Sequence, residues 1–114
     1  MNTPWGPAQQ EENIGMGIIS VSTAGHGGYF VPKEIRALMP RAALTTFAGP
    51  GWYEEDSDWA LVALSFPHLF TEEHREMAIR TAEKWHSKEV AEAFNLKGRP
   101  LENELDRLKK RMPK

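Results

Sequence analysis

The chain has no cysteine. Disulfides, thiolate metal ligands and a cysteine nucleophile are therefore excluded together. It has no long apolar run either: the longest, residues 59–64, is far too short to cross a bilayer. Met1-Asn2-Thr3-Pro4-Trp5-Gly6 lacks a basic region followed by an apolar stretch, so no secretory signal is expected. A cytoplasmic location without membrane attachment is the expectation. Positive charge is scarce in the first half. Before residue 71 the only Lys or Arg residues are Lys33, Arg36 and Arg41, against Glu11, Glu12, Glu34, Glu54, Glu55, Asp56 and Asp58. With a net charge of −2, this argues against direct nucleic-acid binding. Nucleotide signatures are missing as well: there is no GxGxxG and no glycine loop followed by Lys-Ser/Thr. Glu73-His74-Arg75-Glu76 is not HExxH, because no second histidine falls at i+4. No cofactor is expected.

What is present suffices for one domain spanning residues 1–114. Residues 1–13 read as an extended lead-in, with Trp5 burying its ring against the body. Residues 17–23 are β-branched and read as a strand. A glycine turn at 25–28 follows, then a return strand at 29–31, with the glycines supplying positive φ. Pro32 opens and Pro40 stops a short helix at 33–39. Residues 44–47 read as a short strand. Asp56 or Ser57 caps the next segment, where Trp59, Val62, Ala63 and Phe66 fall at i, i+3, i+4 and i+7. Residues 57–66 are a buried helix or, on the same apolar run, a central strand.

Thr71 then caps a helix through His86, with His74, Ala78, Ala82 and Trp85 sharing one face. Ser87 starts a shorter helix to Phe94. Leu101, Leu105, Leu108 and Met112 form a narrow stripe on a C-terminal amphipathic helix, residues 101–112. The fold class expected is α+β: a small antiparallel sheet from the N-terminal third, packed against three to four helices. Trp5, Trp59 and Trp85 are expected to be largely buried in its core.

Two segments carry candidate chemistry. Ser22-Thr23-Ala24-Gly25-His26-Gly27-Gly28 sets His26 among glycines, as a general base, a metal ligand or a turn residue bonded to backbone. Trp52-Tyr53-Glu54-Glu55-Asp56-Ser57-Asp58-Trp59 packs four carboxylates between aromatic rings. Glu54, Glu55, Asp56 and Asp58 suit a hard cation, an acidic face for a basic partner, or the positive end of the helix that follows. Trp52, Tyr53 and Trp59 beside them have the makeup of a protein-binding hot spot. If the two segments meet in space, His26 with Glu54, Glu55 and Asp56 is a candidate site for metal-assisted hydrolysis.

Thr3-Pro4-Trp5-Gly6 with Gln9, Gly17-Ile18, the 22–28 segment, Trp52-Tyr53-Glu54-Glu55-Asp56 and Trp59-Ala60 together resemble a family of small domains of unknown function. These occur in bacteria, phages and plasmids, alone or within large mobile-element proteins. The resemblance covers residues 3–70 and not the C-terminal helices. It implies a phage or mobile-element setting and supplies no mechanism. Where that pattern has a cysteine after Asp56, this chain has Ser57, which puts thiol chemistry out of reach.

The function expected is a non-enzymatic interaction protein. It would bind a basic surface of a host protein, such as a defence-system component, through residues 52–56 and Asp58. A small metal-dependent hydrolase built on His26 and the carboxylates is the alternative. A structural or oligomerising module resting on the 101–112 stripe is the third reading, so the chain is a monomer or a homodimer. The stripe covers about three turns, too few for a stable isolated coiled coil, so it should dock on the body. Deleting residues 99–114 should then expose apolar surface and lower solubility. Light scattering and thermal melting of the truncated chain test this; unchanged mass and stability would make the helix a loose tail.

Overall fold

The structure, a computed structural model, describes residues 1–46 and 48–96. Its first organising device is a sharp turn at Met16 (φ 58°) and Gly17 (φ 83°). Positive φ at two successive residues is what a two-residue hairpin loop needs to match the twist of its strands. The turn joins β3 (Gln10–Gly15) to β4 (Ile18–Ser22), with Gln10 opposite Ser22 and Glu12 opposite Ser20. A register shift between Asn13 and Gly15 marks a bulge at the turn end. β4 pairs antiparallel with β5 (Gly27–Phe30), and β5 with β6 (Trp52–Glu54). The sheet order is therefore β3-β4-β5-β6. Ahead of it, β1 (Asn2–Thr3) and β2 (Gly6–Pro7) form a separate small hairpin.

These elements correct three expectations. Residues 1–13 are not an extended lead-in: they hold two strands of the small hairpin and the edge strand of the main sheet. Residues 44–46 form no strand, and Thr46 instead donates to the Gly49 carbonyl at 2.9 Å. The glycines at 25, 27 and 28 do not supply positive φ; Gly15, Gly17, Gly49 and Gly51 do. The β4–β5 loop is held by Thr23 instead. Its hydroxyl donates to the His26 carbonyl (2.9 Å) and accepts from the His26 amide (3.1 Å).

The register sorts the side chains onto two faces, since residues directly opposite share a face and neighbours alternate. Ser20, Tyr29 and Tyr53 lie on one, with Ile18 and Val31 beside them. This face packs on the helices. α1 (Lys33–Arg36) is a single turn, shorter than the 33–39 helix expected. α2 (Trp59–Ser65) settles the choice left open for residues 57–66 in favour of a helix. Ala60, Leu61, Val62 and Ala63 are all buried, so α2 is apolar on every side and occupies the centre. Tyr53 is fully buried, and its hydroxyl donates to the Ala43 carbonyl at 2.8 Å. Burial pushes that phenol up to about 12.

α3 (Glu72–Trp85) packs against α2, and α4 (Lys88–Ala93) follows. Thr71 and Ser87 cap them, accepting from the His74 and Val90 amides as their sequence positions require. The buried stripe of α3 is rotated from the face expected. At 100° per residue, Arg75, Ala78, Ala82 and His86 fall within about 80° of one another, while His74 and Trp85 lie to one flank. Ala78 and Ala82 are buried and His74 is exposed. Trp85 is 62% exposed, with the Lys84 ammonium 5.2 Å from its ring centroid. Trp85 is thus no core residue, and Trp5 and Trp59 are half-buried. The large fully buried side chains are Tyr53, Ile18, Leu61, Val31 and Val62. The 101–112 stripe lies outside the described residues.

The second face of the sheet carries Ile19, Phe30 and Trp52 in one row and Val21, Gly28 and Glu54 in the next. The small hairpin covers it. At its tip Thr3 donates to the Gly6 carbonyl (2.7 Å) and accepts from the Trp5 amide (3.0 Å), which directs the indole onto Gly28. A Cβ on Gly28 would sit 2.7 Å from the Trp5 ring and would collide with the Tyr53 carbonyl. Trp5 meets Trp52 edge-on at 5.7 Å, and Trp52 leans on Phe30 at 4.9 Å. Gly28→Ala should therefore cost about 1–3 kcal/mol, the usual penalty of overpacking. Gly25, with nothing within 4 Å of an added Cβ, should tolerate alanine within about 0.5 kcal/mol. Urea denaturation of the two variants measures the difference, and equal losses would remove the close-approach explanation.

Candidate functional site

The two suspect segments meet. β5 and β6 are adjacent strands, with Gly28 opposite Glu54, and the Glu55 amide donates to the Gly27 carbonyl at 3.0 Å. The acidic run thus leaves the sheet beside the His26 turn. Proximity in the chain and in the sheet does not make the groups converge, because alternation along β6 sends successive side chains to opposite faces.

Glu55 falls on the helix face. Its carboxylate lies 3.0 Å from where a Cβ on Gly27 would stand, another close approach that the glycine permits. It lines an open groove of about 410 Å³ with Tyr29, Trp59, His74 and Met77. Trp59 packs on Phe70 and meets the His74 ring edge-on at 6.3 Å, and His74 Nδ1 is 3.0 Å from the Thr71 hydroxyl.

Glu54 falls on the opposite face, half-buried, in a second groove of about 520 Å³ lined by Pro4, Trp5, Ala48 and Asp58. Burial pushes its carboxyl up, and the charge and hydrogen bond of the exposed Asp56 push it further. Asp58 is the buried member of the run, its side chain 8% exposed. Burial raises its carboxyl, and His86 offsets part of that rise from 3.7 Å. His86 Nε2 is also 3.1 Å from the Ser57 carbonyl, so the end of α3 holds the start of α2. Asp58 precedes α2 without capping it through its side chain.

His26 is exposed, and the hydrogen bonds that place it come from its backbone. Trp52 is half-buried between Trp5 and Phe30. Tyr53 has no exposed surface and serves the core, not a partner. Among the described residues no group of three or more His, Cys, Asp or Glu side chains is arranged to hold a metal ion. No described helix is long and apolar enough to cross a membrane.

The three sequence motifs therefore converge on one corner: the turn at Trp5, the glycines after His26 and the acidic run after Trp52. The chain belongs to a family. A model of DUF7007, a domain of unknown function, matches residues 1–112. The match extends beyond the residues 3–70 that carried the resemblance and takes in α3 and α4. No curated protein and no solved structure matches the chain.

Within this DUF7007 fold, what the corner can do chemically is hold cations. The main sheet and the 55–58 turn carry Glu11, Glu12, Glu54, Glu55, Asp56 and Asp58 and no Lys or Arg. An indole ring flanks the carboxylates in each groove, and the Tyr29 phenol adds to one of them, a combination that suits ammonium and guanidinium groups. Trp59 flanks the acidic run in the sequence and lies beside Glu55 in the fold. Trp5, His74 and His86 carry no such signal as site residues; the turn chemistry at Thr3 places Trp5, and helix packing brings the two histidines.

The titration of this corner has a definite sign. Asp58 and Glu54 have folded-state pKa values above their ordinary 3.8 and 4.5. The folded chain therefore keeps both protons longer than the unfolded chain. Their stabilising contribution is complete below those ordinary values and is lost as pH rises through the folded ones. Urea melts from pH 3.5 to 7 should show wild type losing stability relative to Glu54→Gln/Asp58→Asn as pH rises. A gap independent of pH would mean that these carboxyls titrate as free side chains do.

Proposed function

We propose that the chain is a non-enzymatic binding protein whose acidic corner docks on a basic surface of a partner protein. The observation that carries this reading is the spread of the acidic run. Glu55 enters one aromatic groove, Glu54 and Asp58 enter the other, and the exposed Asp56 is hydrogen-bonded to Glu54. Carboxylates divided between two grooves suit several cations spaced along a surface better than one ion held at a point. Trp5, Trp52 and Trp59 supply half-buried aromatic area beside them, the usual anchor of a binding hot spot. The mechanism is occupancy: like-signed carboxylates steer the encounter and the rings hold the contact. The setting implied by the resemblance is a phage or mobile element, acting in the cytoplasm on a host protein.

Glu54→Lys/Glu55→Lys/Asp56→Lys should abolish capture of the partner while leaving the fold intact, because Glu55 and Asp56 are exposed and Glu54 is half-buried. Binding by wild type should weaken as salt rises from about 0.05 to 0.5 M. Pull-down from host lysate with both proteins, with circular dichroism on each, tests the pair of expectations. The same capture profile for both would end this reading. Metal-dependent turnover by wild type, lost in the variant, would transfer the corner to hydrolytic chemistry.

A further inference from the structure

We propose that β3 is a docking edge that accepts an extended, basic segment of a partner protein as a fifth strand of the main sheet. β3 is terminal in the sheet order and pairs only with β4. Among the described residues, the backbone N–H and C=O groups on its outer side have no strand to bond. Gln10, Glu11, Glu12 and Asn13 are all exposed, so this edge is open to solvent along four consecutive residues. Leu69 closes only the far end, where it lies against Gly15. Such a row is a template for strand addition, and chains usually blunt it with charged side chains, proline or a mid-strand bulge. β3 has no proline, its register shift falls at the turn end, between Asn13 and Gly15, and its only charges are the carboxylates of Glu11 and Glu12, which repel an acidic strand and attract a basic one. The opposite edge differs: β6 is three residues long, and the Trp52 amide is already bonded to the Gly49 carbonyl at 3.1 Å.

The occupant follows from charge. Glu12 shares the face of Ser20 and Tyr29, and Glu11 shares the face of Val21 and Gly28. An incoming strand therefore meets one carboxylate on each face at successive positions. An open groove of about 530 Å³ runs along β3 and β4 beside them. Glu11 already pairs with one ammonium, the Met1 amino group at 2.6 Å, and Glu12 has no cationic partner among the described residues. A lysine or arginine opposite Glu12 supplies the missing charge, and opposite charges across a ladder stabilise the pairing. A second copy of this chain is the wrong occupant. Two-fold pairing of β3 with itself sets acidic side chains against acidic ones and brings no Lys or Arg, since the strand contains none. The partner adds by main-chain hydrogen bonds, with its alternate side chains read on the two faces. This shares the basic partner chemistry of the acidic corner but none of its carboxylates: Glu11 and Glu12 lie on one edge strand and Glu54 on the other, and the two grooves adjoin along Ser20, Val21 and Ser22 of β4.

The test titrates ¹⁵N-labelled full chain with a capped peptide of four alternating lysine–valine pairs. Controls are the glutamate–valine peptide and two lysine–valine analogues, N-methylated at all lysine or all valine amides. The lysine–valine peptide should shift and slow the exchange of the outward amides of β3. The glutamate–valine peptide should not bind. One methylated analogue should lose affinity by at least about tenfold, because it blocks the bonding edge and keeps every charge. Glu12→Lys, at an exposed position, should weaken the parent peptide similarly and keep the native spectrum. Equal binding of both methylated analogues would reduce the effect to electrostatics and overturn the strand addition. Shifts confined to residues 54–58 would overturn it too, while favouring the acidic corner. So would β3 protection that grows with protein concentration and no peptide, which would name a second copy. No binding at millimolar peptide would also reject the proposal.

Discussion

The Trp5 ring resting on Gly28 is the contact from which the rest of the corner follows. A side chain at position 28 would hold the indole away from the sheet and press on the Tyr53 carbonyl. Without the indole, Gly28 and Trp52 would lose their cover on the face turned away from the helices. The hairpin that carries Trp5 is held by its Thr3 turn, by pairing between two strands of two residues each, and by the Met1 ammonium on Glu11. A ribbon that small is not stable alone. Its stability comes from docking, so the N-terminal hairpin and the second face of the sheet depend on each other.

The same contact shapes the acidic run. Because β6 lies between a helix-packed face and a tryptophan-covered face, its alternation delivers carboxylates to two environments. Glu54 is desolvated beside Trp5, Glu55 stays exposed beside Trp59, and Asp58 is buried where α2 begins and His86 reaches over. Four residues that read as one patch along the chain divide between two grooves, Glu55 in one and Glu54 and Asp58 in the other. Desolvation raises the Glu54 and Asp58 carboxyls, which shows that the fold accepts an electrostatic cost at this corner. The Asp58–His86 contact offsets part of it and ties α3 to the beginning of α2.

Much of the fold was legible because local chemistry acts over a few residues. Thr71 and Ser87 announced two helices by capping, Pro32 marked the start of a third, and the apolar run before Pro67 announced a buried element while leaving helix and strand open. What was not legible had one cause. Residues 10–13 carry no apolar alternation, since an edge strand exposed on its outer side needs none, and they were read as an extended arm. Trp85 was assigned to the core because its helical phase places it near Ala78. The face that packs on α2 is centred instead near Arg75, Ala82 and His86, and phase alone does not say which flank a partner helix covers. In the GHGG segment the glycines were read as suppliers of positive φ. Two of them are close-approach positions, a property of neighbours that are distant in sequence.

The sequence by itself determined the class of the fold, the capped starts of α3 and α4, the acidic character of the first half of the chain and the exclusion of cysteine chemistry. These depend on composition and on contacts between near neighbours along the chain. Only the tertiary structure decided that His26 and the carboxylates adjoin without converging, that Tyr53 belongs to the core, and that Trp5 belongs to the corner. Strand register decided these points. It is set by pairings between residues up to some tens of positions apart, and shifting it by one residue would exchange the two faces of the sheet and every side chain on them.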